Sequence, residues 1–374
     1  MDESLKARAE HMQVLRERKT MAVRKSLSIY PRLDSAFRAK HSYNFDMMKA
    51  EIFLQRQVPS IVRIYVWVGY FFTGFLTGAV AYLMAKVEDW LVEKRGELTQ
   101  EILDNNGGNE LFPWLFIALF CFCLVICGSA LTIYIGPGAN GSGIAELMAV
   151  LNGVNYPGFI GKRTLFVKIV GVILGICGFL FIGKEGPLAH IGAIISQVVI
   201  HYLPISYFDY YKNDVVKREF MAAGVSAGVS AAFASPIGGA LFSYELSKPT
   251  TFWTFSMIWR IFFCSSISTY TVSFLTQVEE NGFNDLTLTS QGTLKFGKLQ
   301  DVNVELKNVH GAIFLGIIGG ALGALFINVN SRLTMLRKKY ITTPTRKWLE
   351  AGAFAVATVS FCTLAVVIFG NCDQ

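Results

Sequence analysis

Two clusters of residues have the types and spacing to handle an ion away from bulk water. The first is Gly141-Ser142-Gly143-Ile144-Ala145-Glu146, directly after a long apolar run. Glycines at that point let the backbone turn and expose N–H groups. A helix starting at Ser142 directs its positive end inward, and backbone N–H groups with a serine hydroxyl can replace water around an anion. An ordinary helix cap and turn uses the same residues, so this motif alone leaves both readings open.

The second cluster is Gly183-Lys184-Glu185-Gly186-Pro187. Pro187 suits the first turn of a helix, which places Glu185 at that helix's N-terminus, between glycines and within apolar sequence. An ionised carboxylate there can occupy an anion site as a tethered competitor, and when protonated it can swing away. A Lys184–Glu185 pair at the membrane interface is the plainer alternative. A third stretch, Ala231 to Glu245, reads as two short helices meeting at Ser235-Pro236, with Glu245 ending the second.

Other motifs mislead. Gly136-Pro137-Gly138-Ala139-Asn140-Gly141 fits a dinucleotide-binding pattern, but a spanning helix precedes it where a strand is required. Asn140-Gly141-Ser142 is a glycosylation sequon that the topology below places in the cytosol. Gly224-Val225-Ser226-Ala227-Gly228 fits a nucleophile elbow. Neither His190 nor His201 has an orienting acid in the sequence, and small residues packing helices together explain the run better. Six of the seven cysteines lie in apolar runs without accompanying ligands and read as small apolar packers. No metal site, cofactor or enzyme activity is expected.

The elements that must hold these clusters are membrane helices. Of 374 residues, 52% are hydrophobic and only 16% are charged, too little charge for the surface of a soluble domain. Apolar runs at about 61–86, 112–135, 163–182, 251–276, 308–330 and 349–370 each approach the roughly 20 residues that a spanning helix needs. The pieces between them, at 142–152, 186–202, 215–233 and 235–245, are shorter or glycine-rich. Transporters use such broken segments to place helix ends inside the bilayer.

Loop charge sets the expected topology. Residues 1–56 carry twelve Lys or Arg against seven acids and read as a cytosolic basic arm, solvated and not bound to nucleic acid. Residues 57–374 form the membrane domain. The acidic segment 86–110 reads as a non-cytosolic loop and the basic segment 331–348 as a cytosolic one.

The three motifs, in this order and spacing, resemble the CLC family of chloride channels and chloride/proton exchangers. The likeness runs from about residue 42 to 374. His41-Ser42-Tyr43-Asn44-Phe45-Asp46, Leu151-Asn152-Gly153-Val154 and Trp259-Arg260-Ile261-Phe262-Phe263 resemble its late-endosomal and lysosomal branch. The resemblance implies an all-α, polytopic fold of two inverted repeats with short broken helices, the first repeat complete and the second partial. It implies that Ser142 coordinates the central anion and Glu185 is the gating glutamate. Gly141, Gly143, Ile144, Gly183, Lys184 and Gly186 would then line or shape the anion site. It further implies chloride, and in exchangers protons, as the transported ions, with a homodimer in the bilayer of an endosomal, lysosomal or plasma membrane.

Three departures carry weight. The proline usual after GSGI is Ala145. The second glutamate of the exchangers falls at Leu246. The family's later anion-binding helix, pore-lining tyrosine and paired CBS domains are not found in these 374 residues. The expectation is channel-like, voltage- or pH-gated chloride permeation. Chloride/proton exchange is the alternative, or a non-conducting piece of a longer protein.

Overall fold

A computed structural model describes residues 60–105, 111–202, 214–247, 255–282 and 309–369. The basic arm at 1–56 and the polar stretch at 283–308 lie outside the described residues. Regular structure among the described residues is helical: α1 (Ser60–Asn105), α2 (Leu111–Ala130), α3 (Ile144–Leu151), α4 (Lys162–Cys177), α5 (Glu185–Tyr202), α6 (Asp214–Phe233), α7 (Pro236–Ser247), α8 (Phe255–Asn281), α9 (Val309–Tyr340) and α10 (Pro344–Phe369). Five are long and apolar enough to cross a membrane: α1, α2 with its continuation to Ile135, α8, α9 and α10.

Three helices differ from the sequence expectation. Helix α9 runs on through the basic segment expected as a loop to Tyr340, leaving three residues before α10 at Pro344, and α1 and α4 also depart from it. The acidic segment after residue 86 is not a loop, because α1 continues through it to Asn105. At 1.5 Å per residue its 46 residues rise about 69 Å, well beyond a hydrocarbon core of roughly 30 Å. Good helix formers (Glu, Lys, Leu) and the Lys94–Glu97 ion pair carry the helix on through its charged end. The run at 163–182 instead stops short, with α4 ending at Cys177. Gly178 and Phe179, the latter at φ 62°, break the helix, and irregular chain follows to Lys184. Arg95 on α1 caps the broken end by donating to the Cys177 carbonyl at 2.7 Å, and its guanidinium lies over the Phe179 ring. The charged extension of α1 thus holds the end of α4.

The centre of the fold is the crossing of α5 and α6. Gly192 and Gly224 face each other so closely that a Cβ on either would strike the other's carbonyl. Gly228 meets the Leu188 carbonyl in the same way. Removing side chains at the crossing lets two backbones touch, which is how helices gain packing in lipid. The elbow-like run around Ser226 is therefore a packing surface: Ser226 is fully buried inside α6. Tyr70 of α1 stacks on Phe220 of α6 with ring centroids 4.2 Å apart. Gly74 and Gly78 bring α1 against the backbone of α8 at Cys264 and Ser268. These contacts leave α3 and the N-terminus of α5 facing each other.

Candidate functional site

Gly136, the short 3-10 turn Pro137–Ala139 and Asn140 lead from the end of the second span to α3. Gly141 and Gly143 both take positive φ, 67° and 88°, which glycine adopts without a Cβ penalty. The helix begins at Ile144, with Gly143 as its N-cap, and not at Ser142 as the sequence suggested. The physical reason is Gly143 itself, whose left-handed backbone cannot be a helical first turn. Ser142 therefore sits one residue outside the cap, exposed on the loop, and its hydroxyl is not used as a capping group.

The second motif arrives from the opposite side. Lys184 precedes α5, and its carbonyl accepts the N–H of Leu188 at 2.8 Å. Glu185 opens the helix and Pro187 lies in the first turn, as expected. Gly186 is buried, and a Cβ there would collide with Ser142 Oγ and lie 3.1 Å from Ile144 Cδ1. Thus Ser142, Ile144 and Gly186 meet directly. The Glu185 carboxylate folds back over Gly183, where a Cβ would also collide with it. Among the described residues no Lys, Arg or His pairs with Glu185. Gly141 is open, with nothing within 4 Å of a Cβ position.

Lys184 goes elsewhere. Its ammonium pairs at 2.5 Å with Glu88 of α1, a carboxylate only 3% exposed. The alternative Lys184–Glu185 pairing is not made, and among the described residues the glutamate at the helix start has no cationic partner. The pair pins the turn Gly183–Gly186 to α1, while the other oxygen of Glu88, Oε1, has no hydrogen-bond partner.

Sequence reasoning overlooked Lys168 behind the first loop and weighed His190 only as a catalytic partner. Lys168, in the middle of α4, donates to the carbonyls of Ala139 at 3.1 Å and Gly141 at 2.6 Å. His190 of α5 is fully buried, its Nε2 3.1 Å from the Phe159 carbonyl and its ring stacked on Phe159. Its Nδ1 faces Gly143, 2.8 Å from where a Cβ would stand, so only glycine fits there. A lone ionisable residue inside an apolar run was the available signal for both. Leu246, at the position exchangers fill with glutamate, is buried in the core, and its carbonyl accepts from Asn152 Nδ2 at 3.0 Å.

The starts of α3 and α5 meet at Ser142, Ile144 and Gly186, and the Glu185 carboxylate lies beside Gly183 at the start of α5. Two helix starts that meet in this way can offer dipoles and N–H donors to an anion. Residues 122–374, which contain every one of these groups, match the family described as voltage gated chloride channel. The chain belongs to that family. It is 34% identical over 349 residues to H(+)/Cl(-) exchange transporter 7 of Bos taurus, covering 89% of this chain and 42% of that protein. It is 33% identical over 316 residues to chloride channel protein C of Dictyostelium discoideum, covering 81% of this chain and 40% of that one. The chain therefore spans about two fifths of the length of the curated relatives it matches. A crystal structure of a eukaryotic CLC transporter superposes with a TM-score of 0.62 at 20% identity, over 81% of this chain and 50% of that one. A slow cyanobacterial Cl-/H+ antiporter gives 0.61 at 20% identity, over 81% and 64%. The CLC-type helical fold expected from the sequence is the one observed.

Proposed function

We propose that these residues form one side of a chloride site in a channel-like CLC pathway, with Ser142 as an anion ligand and Glu185 as its gate. The observation that carries this reading is the contact at Gly186: its missing side chain lets Ser142 Oγ sit directly against the N-terminus of α5. An anion between them is held by the serine hydroxyl and by N–H groups at both helix starts. Ionised Glu185 competes for the same place, and protonation removes the competition. The reading carries with it a homodimer in the membrane, in an endosomal, lysosomal or plasma-membrane bilayer, as the resemblance of the branch motifs implies.

Selectivity tests the role of Ser142, since a pore chooses ions by the donors that replace hydration. Ser142→Pro removes the hydroxyl and one N–H. Chloride-35 NMR line broadening on the purified protein, with nitrate as competitor, should show nitrate gaining on chloride. An unchanged order of the two anions contradicts the role.

Coupled exchange is the second reading, favoured by relatives named as H(+)/Cl(-) exchange transporters. Against it stands Leu246, an apolar residue in a packed core that offers a proton no ionisable relay. Chloride-driven uphill proton movement in liposomes supports exchange; chloride flux without it supports the channel reading.

A further inference from the structure

A helix that began at Gly143 would have Ser142 as its N-cap, and the serine hydroxyl would accept a backbone N–H of the first turn. A hydroxyl engaged in that way is not available to an anion. Helix α3 begins at Ile144 instead, with Gly143 at φ 88° as the cap and the hydroxyl of Ser142 outside it. Glycine leaves the left-handed region at little cost, so its own backbone does not hold this arrangement in place.

His190 of α5 stands against it. A Cβ on Gly143 would have His190 Nδ1, Cγ and Cβ as its three nearest neighbours, at 2.8, 3.2 and 3.3 Å. The imidazole is wholly buried and stacks on Phe159, with ring centroids 3.9 Å apart and planes 12° apart. Its Nε2 lies 3.1 Å from the Phe159 carbonyl. A carbonyl only accepts, so Nε2 carries a proton and donates it. Nδ1, which faces Gly143, has no hydrogen-bond partner among the described residues. Leaving a buried polar atom unpaired is costly, so stacking and the Nε2 bond hold the ring where it is. The Phe159 segment also grips the other end of the loop. A Cβ on Gly138 would strike the Gly158 carbonyl and stand 3.2 Å from Phe159 Cα.

We propose that His190 is a positioning residue for the anion site: its ring, locked by Phe159, fills the space beside Gly143, keeps that residue left-handed and so keeps Ser142 out of the capping position. The inference rests on the chloride reading given above and explains how the serine ligand stays free. Removing the ring should move two readouts in opposite directions. In His190→Ala, Gly143 joins α3, Ser142 caps the helix, and the hydroxyl is lost to the anion. Loss of a merely structural side chain would loosen helix and site together.

Chloride affinity is read from chloride-35 line width on the purified protein, and hydrogen exchange from the peptide spanning residues 142–148. His190→Ala should bind chloride about tenfold more weakly, while this peptide exchanges about fivefold more slowly. The slowing should vanish in the double variant His190→Ala/Ser142→Ala, which has no hydroxyl to cap with. His190→Gln, whose amide N–H can still donate to the Phe159 carbonyl, should stay within about threefold of wild type in both readouts. A His190→Ala peptide that exchanges as fast as wild type or faster overturns the positioning role, as does slowing that survives loss of the hydroxyl. Should His190→Ala fail to fold, Ser142→Ala alone decides. The hydroxyl does not cap the wild-type helix, so its removal should leave exchange at the wild-type rate, and faster exchange overturns the inference. Wild type without saturable chloride binding overturns the site reading and the inference with it; wild-type binding matched by His190→Ala overturns the inference alone.

Discussion

The α5–α6 crossing and helix α9 are built from similar sequence and do opposite things with it. Both are apolar and rich in glycine. In α5 and α6, Gly192, Gly224 and Gly228 each press against another helix's backbone. In α9, Gly311, Gly316, Gly319, Gly320 and Gly323 have nothing within 4 Å of a Cβ position, and every residue from Val309 to Tyr340 is exposed. A glycine row is thus a capacity for close approach; packing decides whether it is used. Helix α10 is intermediate: Trp114 Nε1 of α2 donates to Ser360 Oγ at 3.3 Å, and Val359 is buried with Ala118 and Cys121. An exposed ion pair, Arg337–Glu350, joins α9 to α10.

Substitution should separate the two regions sharply. The largest effect is expected from Gly224→Val, which drives a branched side chain into the Gly192 carbonyl. Destabilisation of about 3 kcal/mol or more is expected, read as a fall in the thermal midpoint in detergent. A midpoint unchanged from wild type would remove the crossing from the centre of the fold. Next comes Gly186→Ala, whose Cβ displaces Ser142 Oγ. It should weaken chloride binding while lowering stability by only about 1–2 kcal/mol, because the loop can retreat and the crossing cannot. Smallest is Gly319→Ala in α9, which should be neutral or stabilise by up to about 1 kcal/mol. A large loss there would mean that α9 has a close partner after all.

How much of this was readable in advance follows from the same contrast. The motifs GSGIAE and GKEGP fixed attention on Ser142, Glu185 and Gly186, because glycine beside a polar residue within apolar sequence has few other uses. Their meeting depends on long-range packing, and the resemblance to a family supplied that expectation where spacing did not. The end of α1 departs from the expected loop because its charged residues are also good helix formers, and charge alone does not distinguish the two. Lys168 and Glu88 escaped notice because a single charge in a span or at its edge looks like a snorkelling residue. Only their partners, two loop carbonyls and Lys184, reveal that they are held inside. The basic arm at 1–56 lies outside the described residues and contributes nothing to that comparison.

The central claim is that the Glu185 carboxylate and chloride compete for one place beside Ser142. Chloride affinity measured from about pH 4 to about pH 8 tests it directly in wild type and Glu185→Gln. Protonation neutralises the competitor, so wild-type affinity should be highest at the acid end and fall as pH rises. The glutamine variant, neutral throughout, should bind chloride at every pH at least as tightly as wild type does in acid, with a flat profile. Parallel pH profiles in the two proteins, or weaker binding in the variant at neutral pH, would contradict the account.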